Sequence, residues 1–132
     1  MAATYNNLYL DARKRLREAG VEGAQLEARE LVCCAAGKSR EQFYRDMALY
    51  ASDPVEEKLA ELLERRLAGE PVAYLIGEWE FYGLGLDITP DVLIPRMDTE
   101  VLAERAILLA RAAGEGARVL DLCAGSGCVG LA

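Results

Sequence analysis

The sequence predicts a mainly α-helical chain in which an N-terminal helical bundle precedes a β-hairpin, a linker, and the first strand and glycine-rich loop of an α/β domain. Three observations predict this fold class. Apolar residues recur at three- and four-residue steps up to about residue 67, they alternate between residues 79 and 88, and closely spaced glycines follow an apolar run that ends at residue 122. The 132 residues are 52% apolar and 28% charged, which suits a globular protein.

The first three helices are predicted from their end signals. Helix one follows Thr4 as N-cap and stops at Gly20, and helix two stops at Gly37. Ser39 and Gln42 have the spacing of a capping box, which predicts a third, short helix. The residues expected to face inward include Tyr5, Leu8, Tyr9, Ala12, Leu16, Ala24, Ala28, Leu31, Val32, Ala35, Phe43 and Met47.

A fourth helix carries the clearest start and stop signals. Asp53 is the predicted N-cap, Pro54 the first helical residue, and Glu56 stands three residues after the cap. Gly69 and Pro71 close it. Its predicted inward face consists of Val55, Leu59, Leu62, Leu63 and Leu67.

The apolar period changes from helical to alternating after residue 71. Trp79 and Phe81 form one arm of a predicted hairpin, and Gly83 lies at the turn. The other arm is expected to contain Leu84, Leu86 and Ile88. Two prolines, at positions 90 and 95, then frame an extended linker.

The last segment is predicted to hold one more helix and one strand. Asp98 is the predicted N-cap of this helix, which ends near Gly114 and carries its apolar residues at Val101, Leu102, Leu108 and Leu109. Arg118 to Leu122 is the predicted strand, and it runs directly into the glycine-rich residues 123–130.

Charge is unevenly distributed along the chain. Residues 1–76 contain 11 basic and 13 acidic side chains, a net charge of −2, whereas residues 77–132 contain 4 and 9, a net charge of −5. We therefore expect a helical domain over 1–76, a hairpin and linker over 77–97, and the beginning of an α/β domain over 98–132. The overall charge of −7 disfavours an electrostatic grip on nucleic acid, so no direct sequence-specific nucleic-acid binding is expected.

Composition excludes several classes of site. The chain has no histidine, which removes histidine-based acid/base chemistry, Ser-His-Asp and Cys-His nucleophiles, and histidine-ligated metals. Its four cysteines lack C-x-x-C spacing, so no metal site is expected and reduced thiols in a cytoplasmic protein are predicted. Without an 18-residue apolar run or a signal-peptide pattern, no membrane association is expected.

The glycine-rich segment is the most informative motif for function. A strand, a Gly-x-Gly turn and a helix start are typical of a nucleotide-binding α/β unit. Gly125, Gly127 and Gly130 also satisfy G-x-G-x-x-G, which alone would allow a nicotinamide-dependent oxidoreductase. Asp121 favours a ligand with an ammonium group, which S-adenosylmethionine has and a dinucleotide pyrophosphate lacks.

Two blocks of sequence resemble the release-factor glutamine methyltransferase family (HemK/PrmC). They are GEPVAYLIGEWEFYGLGLDITPDVLIPRMDTEVL, from Gly69 to Leu102, and VLDLCAGSGCVGLA, from Val119 to Ala132. The resemblance implies a Rossmann-like methyltransferase domain joined by a β-hairpin to a helical substrate-recognition domain. It also implies methyl transfer from S-adenosyl-L-methionine to the side-chain amide nitrogen of the glutamine in the Gly-Gly-Gln loop of peptide chain release factors, a modification of the translation-termination machinery.

The resemblance also implies which residues bind the cofactor. The family's first motif corresponds to the loop Cys123, Ala124, Gly125, Ser126 and Gly127, with Asp121 just before it. The linker block implies a second set near the cofactor, namely Leu93, Arg96, Thr99 and Glu100. This chain departs from the family at Cys123, where a glycine is usual, and at Met97, where a second proline is usual.

No catalytic residue is expected within these 132 residues. The family's Asn-Pro-Pro-Tyr loop lies downstream of its first motif, and this chain contains no Asn-Pro dipeptide. We therefore expect an N-terminal fragment that is inactive by itself. Two alternatives stay open: a non-catalytic module that binds release factors, and a fragment of a nicotinamide-dependent oxidoreductase.

The sequence also contains a run of basic residues on the first helix. Arg13, Lys14, Arg15 and Arg17 could face an acidic surface of a release factor or ribosomal RNA. The alternative interpretation is a solvated helix face whose charges complement the C-terminal end of the helix dipole.

Overall fold

The structure is a computed structural model that describes residues 2–132. These residues form two compact units, the first ending at Ile76 and the second running from Gly77 to Ala132. Across the described part of the chain, no helix is both long enough and apolar enough to cross a bilayer.

The first unit is a bundle of five helices built around its second helix. In chain order they are α1 (Tyr5–Glu18), α2 (Ala24–Ala36), α3 (Arg40–Asp46), α4 (Asp53–Leu67) and α5 (Val72–Ile76). Helix α2 packs against each of the other four. The hydrophobic residues of α2 that are buried therefore point in several directions: they are Ala24, Ala28, Leu31, Val32, Cys33 and Ala35.

Most of the core of this bundle comes from residues that the helical spacing predicts, although Leu8, Tyr9, Met47, Val55 and Leu67 are only half-buried. Leu16 of α1 and Leu31 of α2 are completely buried, and Leu63 of α4 is 2% exposed. Phe43 of α3 is also buried and meets the Tyr9 ring edge-on, with the ring centroids 5.8 Å apart. The helical periodicity is thus confirmed for the four longer helices. Helix α5 was not predicted, because five residues are too few to show a period.

Two of the predicted caps are confirmed in atomic detail. The Thr4 hydroxyl accepts a hydrogen bond from the Asn7 N–H at 3.2 Å, at the start of α1. At the start of α3, the Ser39 hydroxyl accepts from the Gln42 N–H at 3.2 Å, and the Gln42 side chain accepts from the Ser39 N–H at 2.9 Å. This reciprocal pair is a complete capping box.

Two other predicted caps are wrong by one and two residues. Helix α4 is capped by Ser52 rather than Asp53, because the Val55 and Glu56 N–H groups donate to the Ser52 carbonyl. The Ser52 side chain makes no capping hydrogen bond. Asp53 instead lies in the first turn, where a carboxylate still favours the helix dipole.

The helix predicted to follow Asp98 also begins earlier than expected. Helix α6 spans Met97–Ala113, and Arg96 rather than Asp98 is its N-cap. The reason is that the Thr99 N–H donates to the Arg96 carbonyl at 3.1 Å, which closes the first turn.

The second unit begins with the predicted hairpin. Strands β1 (Glu78–Phe81) and β2 (Leu84–Asp87) are antiparallel, with Trp79 opposite Leu86 and Phe81 opposite Leu84. The turn consists of Tyr82 and Gly83, with φ of 49° and 77°. Positive φ at both central residues is characteristic of a type I′ turn, which matches the twist of the flanking strands.

The strand predicted over Arg118 to Leu122 is wrong. These residues have no regular structure, and Leu120 is 85% exposed. A β-strand needs a neighbour for its backbone hydrogen bonds, and the hairpin is the only sheet of the described residues. The glycine-rich residues that follow lead into a single helical turn, α7 (Cys128–Leu131), which lies against α6.

Helix α6 presents most of its large apolar residues to solvent. Ala103 is its buried residue, and the exposed residues comprise Met97, Val101, Leu102, Leu108 and Leu109. The fold class is therefore mainly α with a small antiparallel sheet, and the predicted apolar face of α6 is uncovered.

Candidate glycine-rich ligand-binding site

The loop between Asp121 and α7 has an unusual backbone conformation. Cys123, Gly125 and Gly127 have φ of 58°, 59° and 80°, all in the left-handed region. Glycine adopts this region without steric cost, whereas a residue with a Cβ atom is strained there by about 1–3 kcal/mol. The family that the sequence resembles usually has a glycine at the position of Cys123. The positive φ at this position gives a physical reason for that glycine.

A tight turn closes the loop. The Gly127 N–H donates to the Ala124 carbonyl at 2.9 Å, and of the two central residues only Gly125 has positive φ, as in a type II′ turn. Helix α7 then begins with the Leu131 N–H donating to the Gly127 carbonyl at 3.0 Å. The turn thus sets the direction in which the helix leaves the loop.

The backbone of this turn is open to an approaching ligand. A Cβ atom placed on Gly125 or on Gly127 would meet no atom within 4 Å. Ser126, between them, is exposed. Backbone N–H groups that have no covering side chain can approach the polar atoms of a ligand closely, so this surface has the properties of a ligand-binding loop.

The Asp121 side chain lies close to the last glycine of the motif. Its carboxylate oxygen Oδ2 lies 3.3 Å from the position that a Cβ atom would take on Gly130. A side chain at Gly130 would therefore require a small shift of the Asp121 carboxylate. Asp121 is nevertheless exposed, so its carboxylate remains available to a cationic group.

The four predicted site residues of the linker are placed on the surface around the start of α6. Leu93 and Arg96 are exposed, and Thr99 and Glu100 are half-buried. The Glu100 carboxylate accepts a hydrogen bond from the Tyr82 N–H at 2.8 Å, which joins the hairpin turn to α6. Between these four residues and the loop 121–127 the structure of residues 2–132 has no hydrogen bond, so their place near a cofactor stays a prediction.

The helical unit contains a buried carboxylate that sequence reasoning missed. Asp46, at the end of α3, is 8% exposed and accepts hydrogen bonds from Lys38 at 2.8 Å and from Arg45 at 2.9 Å. The Arg45 guanidinium and the Lys38 ammonium hold the pKa of the Asp46 carboxyl well below its usual range. The Lys38 ammonium also lies over the Tyr5 ring, 5.1 Å from its centre. Asp46 therefore has a structural role. The signal in the sequence was its two basic partners, Lys38 eight positions before it and Arg45 one position before it.

Residues of the basic run of α1 contact neighbouring side chains. The Arg13 guanidinium lies over the Tyr9 ring at 5.5 Å, and the Lys14 ammonium is 3.9 Å from the Glu18 carboxylate. Arg15 lines a groove between α1 and α4, together with residues that include Leu8, Asp11, Ala12, Leu59 and Leu63. These contacts describe a mixed-charge surface rather than a continuous basic patch.

Metal binding has no support in the described residues. Across residues 2–132, no group of three or more cysteine, aspartate or glutamate side chains is arranged to hold a metal ion.

Comparisons with known proteins place this chain in one family. Residues 7–77 match the PrmC N-terminal domain family. A release factor glutamine methyltransferase of Vibrio cholerae is 38% identical over 132 residues, which is all of this chain and 46% of that protein. The Bordetella pertussis protein of the same name is 48% identical over 111 residues, 80% of this chain and 38% of the relative.

A third relative shows the same relationship. The Haemophilus influenzae release factor glutamine methyltransferase is 42% identical over 115 residues, 84% of this chain and 39% of that protein. The chain thus spans less than half the length of these relatives. Because the family match covers more than half of the chain and its relatives agree, the chain belongs to the release factor glutamine methyltransferase (PrmC) family.

Proposed function

We propose that this chain is the N-terminal part of a protein methyltransferase, in which residues 121–127 bind S-adenosyl-L-methionine and the helical unit recognises a peptide chain release factor. One observation carries the proposal. The loop presents an open backbone with positive φ at three alternate positions, beside an exposed carboxylate, in a chain of this family. The same family membership argues against a nicotinamide-dependent oxidoreductase.

The residues of the loop fit this cofactor. The uncovered backbone at Gly125 and Gly127 leaves room for its adenosyl and methionine parts, and Asp121 would accept a hydrogen bond from its ammonium group. Ser126 adds an exposed hydroxyl. Cys123 and Ala124 would line the entrance to the loop. When bound, S-adenosylmethionine supplies an electrophilic methyl group on a sulfonium centre.

The linker residues would act at the edge of the same site. Leu93 and Arg96 are exposed, so both side chains are free to cover a bound cofactor. Glu100 has a positioning role in the proposal, because its hydrogen bond to the Tyr82 N–H holds the hairpin turn against the start of α6. Thr99 lies in the first turn of the same helix.

The proposed acceptor is the glutamine side-chain amide of the Gly-Gly-Gln loop of a release factor. We assign no catalytic role to any of the 132 residues, which include no Asn-Pro dipeptide. On this proposal the chain by itself transfers no methyl group, and the complete protein acts in the cytoplasm.

A second candidate, a module that binds release factors without catalysis, is favoured by one contrast within the structure. The helical unit has a buried core and a complete capping box, whereas residues 118–122 form no strand and expose their apolar side chains. Within the 132 residues, the proposed recognition unit is thus the part that holds most of the buried core.

Cofactor binding can be tested with a chimera. The Vibrio cholerae relative aligns with all 132 residues, so its remaining C-terminal residues can be joined after Ala132. We expect the chimera to bind S-adenosylmethionine in calorimetry at least about tenfold more tightly than the chain alone. The reason is that ordering each loop residue costs about 1–2 kcal/mol, whereas each amide contact returns only about 0.5–1.5 kcal/mol.

A matched pair of variants makes the test specific to the loop. Gly125→Val in the chimera places a branched side chain in the open space, and binding should be lost. Gly116→Val is the control, because Gly116 has a comparable φ of 82° and equally open surroundings outside the loop. Binding that survives Gly125→Val would show that the cofactor does not occupy residues 121–127.

The two candidate functions differ in a second experiment. Methyl groups from labelled S-adenosylmethionine should enter a release factor in the presence of the chimera, and should not enter a variant whose Gly-Gly-Gln loop carries alanine in place of glutamine. If the chimera binds the release factor and transfers no label, the non-catalytic module is the correct function. If neither the chimera nor the chain binds it, both candidates are wrong.

A further inference from the structure

Two cysteines bracket the glycine-rich loop. Cys123 immediately precedes the Ala124–Gly127 turn, and Cys128 immediately follows it as the first residue of α7. Both are free thiols, with Cys123 exposed and Cys128 half-buried. The function proposed above uses Cys123 only as a residue that lines the loop, and it assigns no chemistry to either thiol.

Two contacts hold the segments that carry these cysteines close together. Inside the pair, the hydrogen bond from the Gly127 N–H to the Ala124 carbonyl closes a four-residue turn, whose ends lie within about 7 Å of each other. Outside the pair, the Asp121 carboxylate oxygen Oδ2 lies 3.3 Å from the position that a Cβ atom would take on Gly130. Cys123 and Cys128 lie between these two constraints, one residue beyond the turn on each side. Disulfides join residues whose Cα atoms lie about 4.4–6.8 Å apart, a separation that the proposal requires Cys123 and Cys128 to reach.

We propose that Cys123 and Cys128 are a site of reversible oxidation, at which a low-molecular-weight disulfide such as glutathione disulfide converts the two thiols into an internal disulfide. Cys123 is the more exposed thiol and reacts first. Its thiolate attacks the glutathione disulfide, forms a mixed disulfide and releases one glutathione. The Cys128 thiolate then attacks the Cys123 sulfur and releases the second glutathione. The two thiol protons pass to the two glutathione thiolates, so atoms and electrons balance.

The other two cysteines provide an internal comparison. Cys33 is buried in α2, and burial, followed by the charge of Glu30, raises the pKa of its thiol. A higher pKa leaves less of the nucleophilic thiolate at neutral pH. Cys33 and Cys34 are also consecutive residues of one helix, whose side chains diverge by about 100° around the axis. We therefore expect this second pair to stay reduced.

An internal disulfide would close the loop across its turn. The ring would contain residues 123–128, including both glycines whose positive φ defines the open backbone. The oxidation itself requires nothing of the methyltransferase proposal.

Peptide mapping of the 132-residue chain tests the proposal directly. Trypsin cleaves after Arg29, Lys38 and Arg118, which puts Cys33 and Cys34 in residues 30–38 and the other two cysteines in residues 119–132. The chain is treated with glutathione disulfide, and its free thiols are then blocked with iodoacetamide. After digestion, the peptide masses are measured by mass spectrometry. We expect residues 119–132 to be lighter by two hydrogen atoms and unblocked, and residues 30–38 to carry two blocking groups.

Single variants distinguish an internal bond from simple glutathionylation. In Cys123→Ser and Cys128→Ser the internal disulfide cannot form, and the remaining thiol reacts with glutathione disulfide only to a mixed disulfide. At about 10 μM glutathione, an internal thiol at an effective concentration on the order of 1 mM has about a hundredfold advantage, so the single variants should be oxidised correspondingly less. Dithiothreitol should restore both thiols in the native chain.

Three results would overturn the proposal. The first is a native peptide 119–132 that carries glutathione on both cysteines. The second is a disulfide between two copies of that peptide. The third is blocking of Cys123 and Cys128 to the same extent as in a chain that was never exposed to glutathione disulfide.

Discussion

At the scale of single residues, burial separates two leucines that the sequence treats alike. Leu63 and Leu109 both lie on the predicted apolar face of a helix, yet Leu63 is 2% exposed and Leu109 is 61% exposed. Leu63→Ala should lower the free energy of unfolding by about 2–5 kcal/mol, because it leaves a cavity in the bundle. Leu109→Ala should change it by less than about 0.5 kcal/mol. Urea denaturation of the two variants measures the difference, and equal losses would show that α6 is covered in solution.

The Asp46 carboxylate should make the stability of the chain depend on acid. Its pKa is lowered in the folded protein, below the value of about 3.9 of an unfolded chain. Its stabilising contribution is therefore complete above about pH 5 and is lost as the pH falls through the folded-state pKa. Asp46→Asn should melt at a lower temperature than the native chain at pH 7, and this difference should shrink towards pH 2.

A matched control is needed because the substitution also removes a charge. Glu57→Gln removes one negative charge at an exposed position of α4. Thermal unfolding followed by circular dichroism compares the two variants across the pH range. A difference at pH 7 that is no larger for Asp46→Asn than for Glu57→Gln would contradict the role of the Lys38 and Arg45 hydrogen bonds.

At the scale of helices and strands, two serines at equivalent positions allow the capping energy to be isolated. Ser39 and Ser52 are both N-caps, and only Ser39 uses its hydroxyl to accept a backbone hydrogen bond. Ser39→Ala should cost about 0.5–2 kcal/mol, and Ser52→Ala a few tenths at most. Guanidinium denaturation gives both values. Equal effects would mean that the capping box contributes nothing beyond the intrinsic preference of serine.

The elements that could be predicted are those whose determinants are local. The hairpin was predictable because Trp79 and Phe81 alternate and Gly83 readily adopts the positive φ of its turn position, all within a few residues. The strand over 118–122 was wrong because pairing depends on partners elsewhere in a chain, which an apolar run does not reveal. The burial of α6 could not be predicted either, because spacing says which residues share a face and not whether that face is covered.

The same distinction applies to the candidate site. Glycines at positions 125 and 127 could be recognised because positive φ is a local demand of the turn. The partner of Glu100 could not be predicted, since the Tyr82 N–H lies 18 residues away and becomes available only when the hairpin forms. Asp121 was predicted beside the loop. Its close approach to Gly130 could not be predicted, because it depends on the direction in which α7 leaves the loop.

At the scale of the whole chain, the two units differ in how their apolar surface is arranged. The first unit ends at Ile76 and buries large side chains from four helices, including Leu16, Leu31, Phe43 and Leu63. The second unit leaves Leu102, Leu108, Leu120 and Leu122 exposed. Since burial of apolar surface is the main stabilising contribution to folding, most of the stability of the chain should reside in the helical unit.

Residues 1–76 should therefore fold without the rest of the chain. The contacts that hold these helices together lie within this unit, and α4 is joined to α2 by the Arg66–Glu27 ion pair at 2.7 Å, across 39 positions of the chain. The entropy cost of closing a loop grows only slowly with its length, so this separation does not prevent independent folding. A chain that ends at Ile76 should unfold cooperatively by circular dichroism, with a melting temperature within about 5 °C of the 132-residue chain, because about 1 kcal/mol corresponds to a shift of this size. Hydrogen exchange on the 132-residue chain provides the complementary measurement, in which amides of α2 should exchange far more slowly than those of α6. A truncated chain that melts without a transition and binds a dye for exposed apolar surface would show that the helical unit depends on residues 77–132.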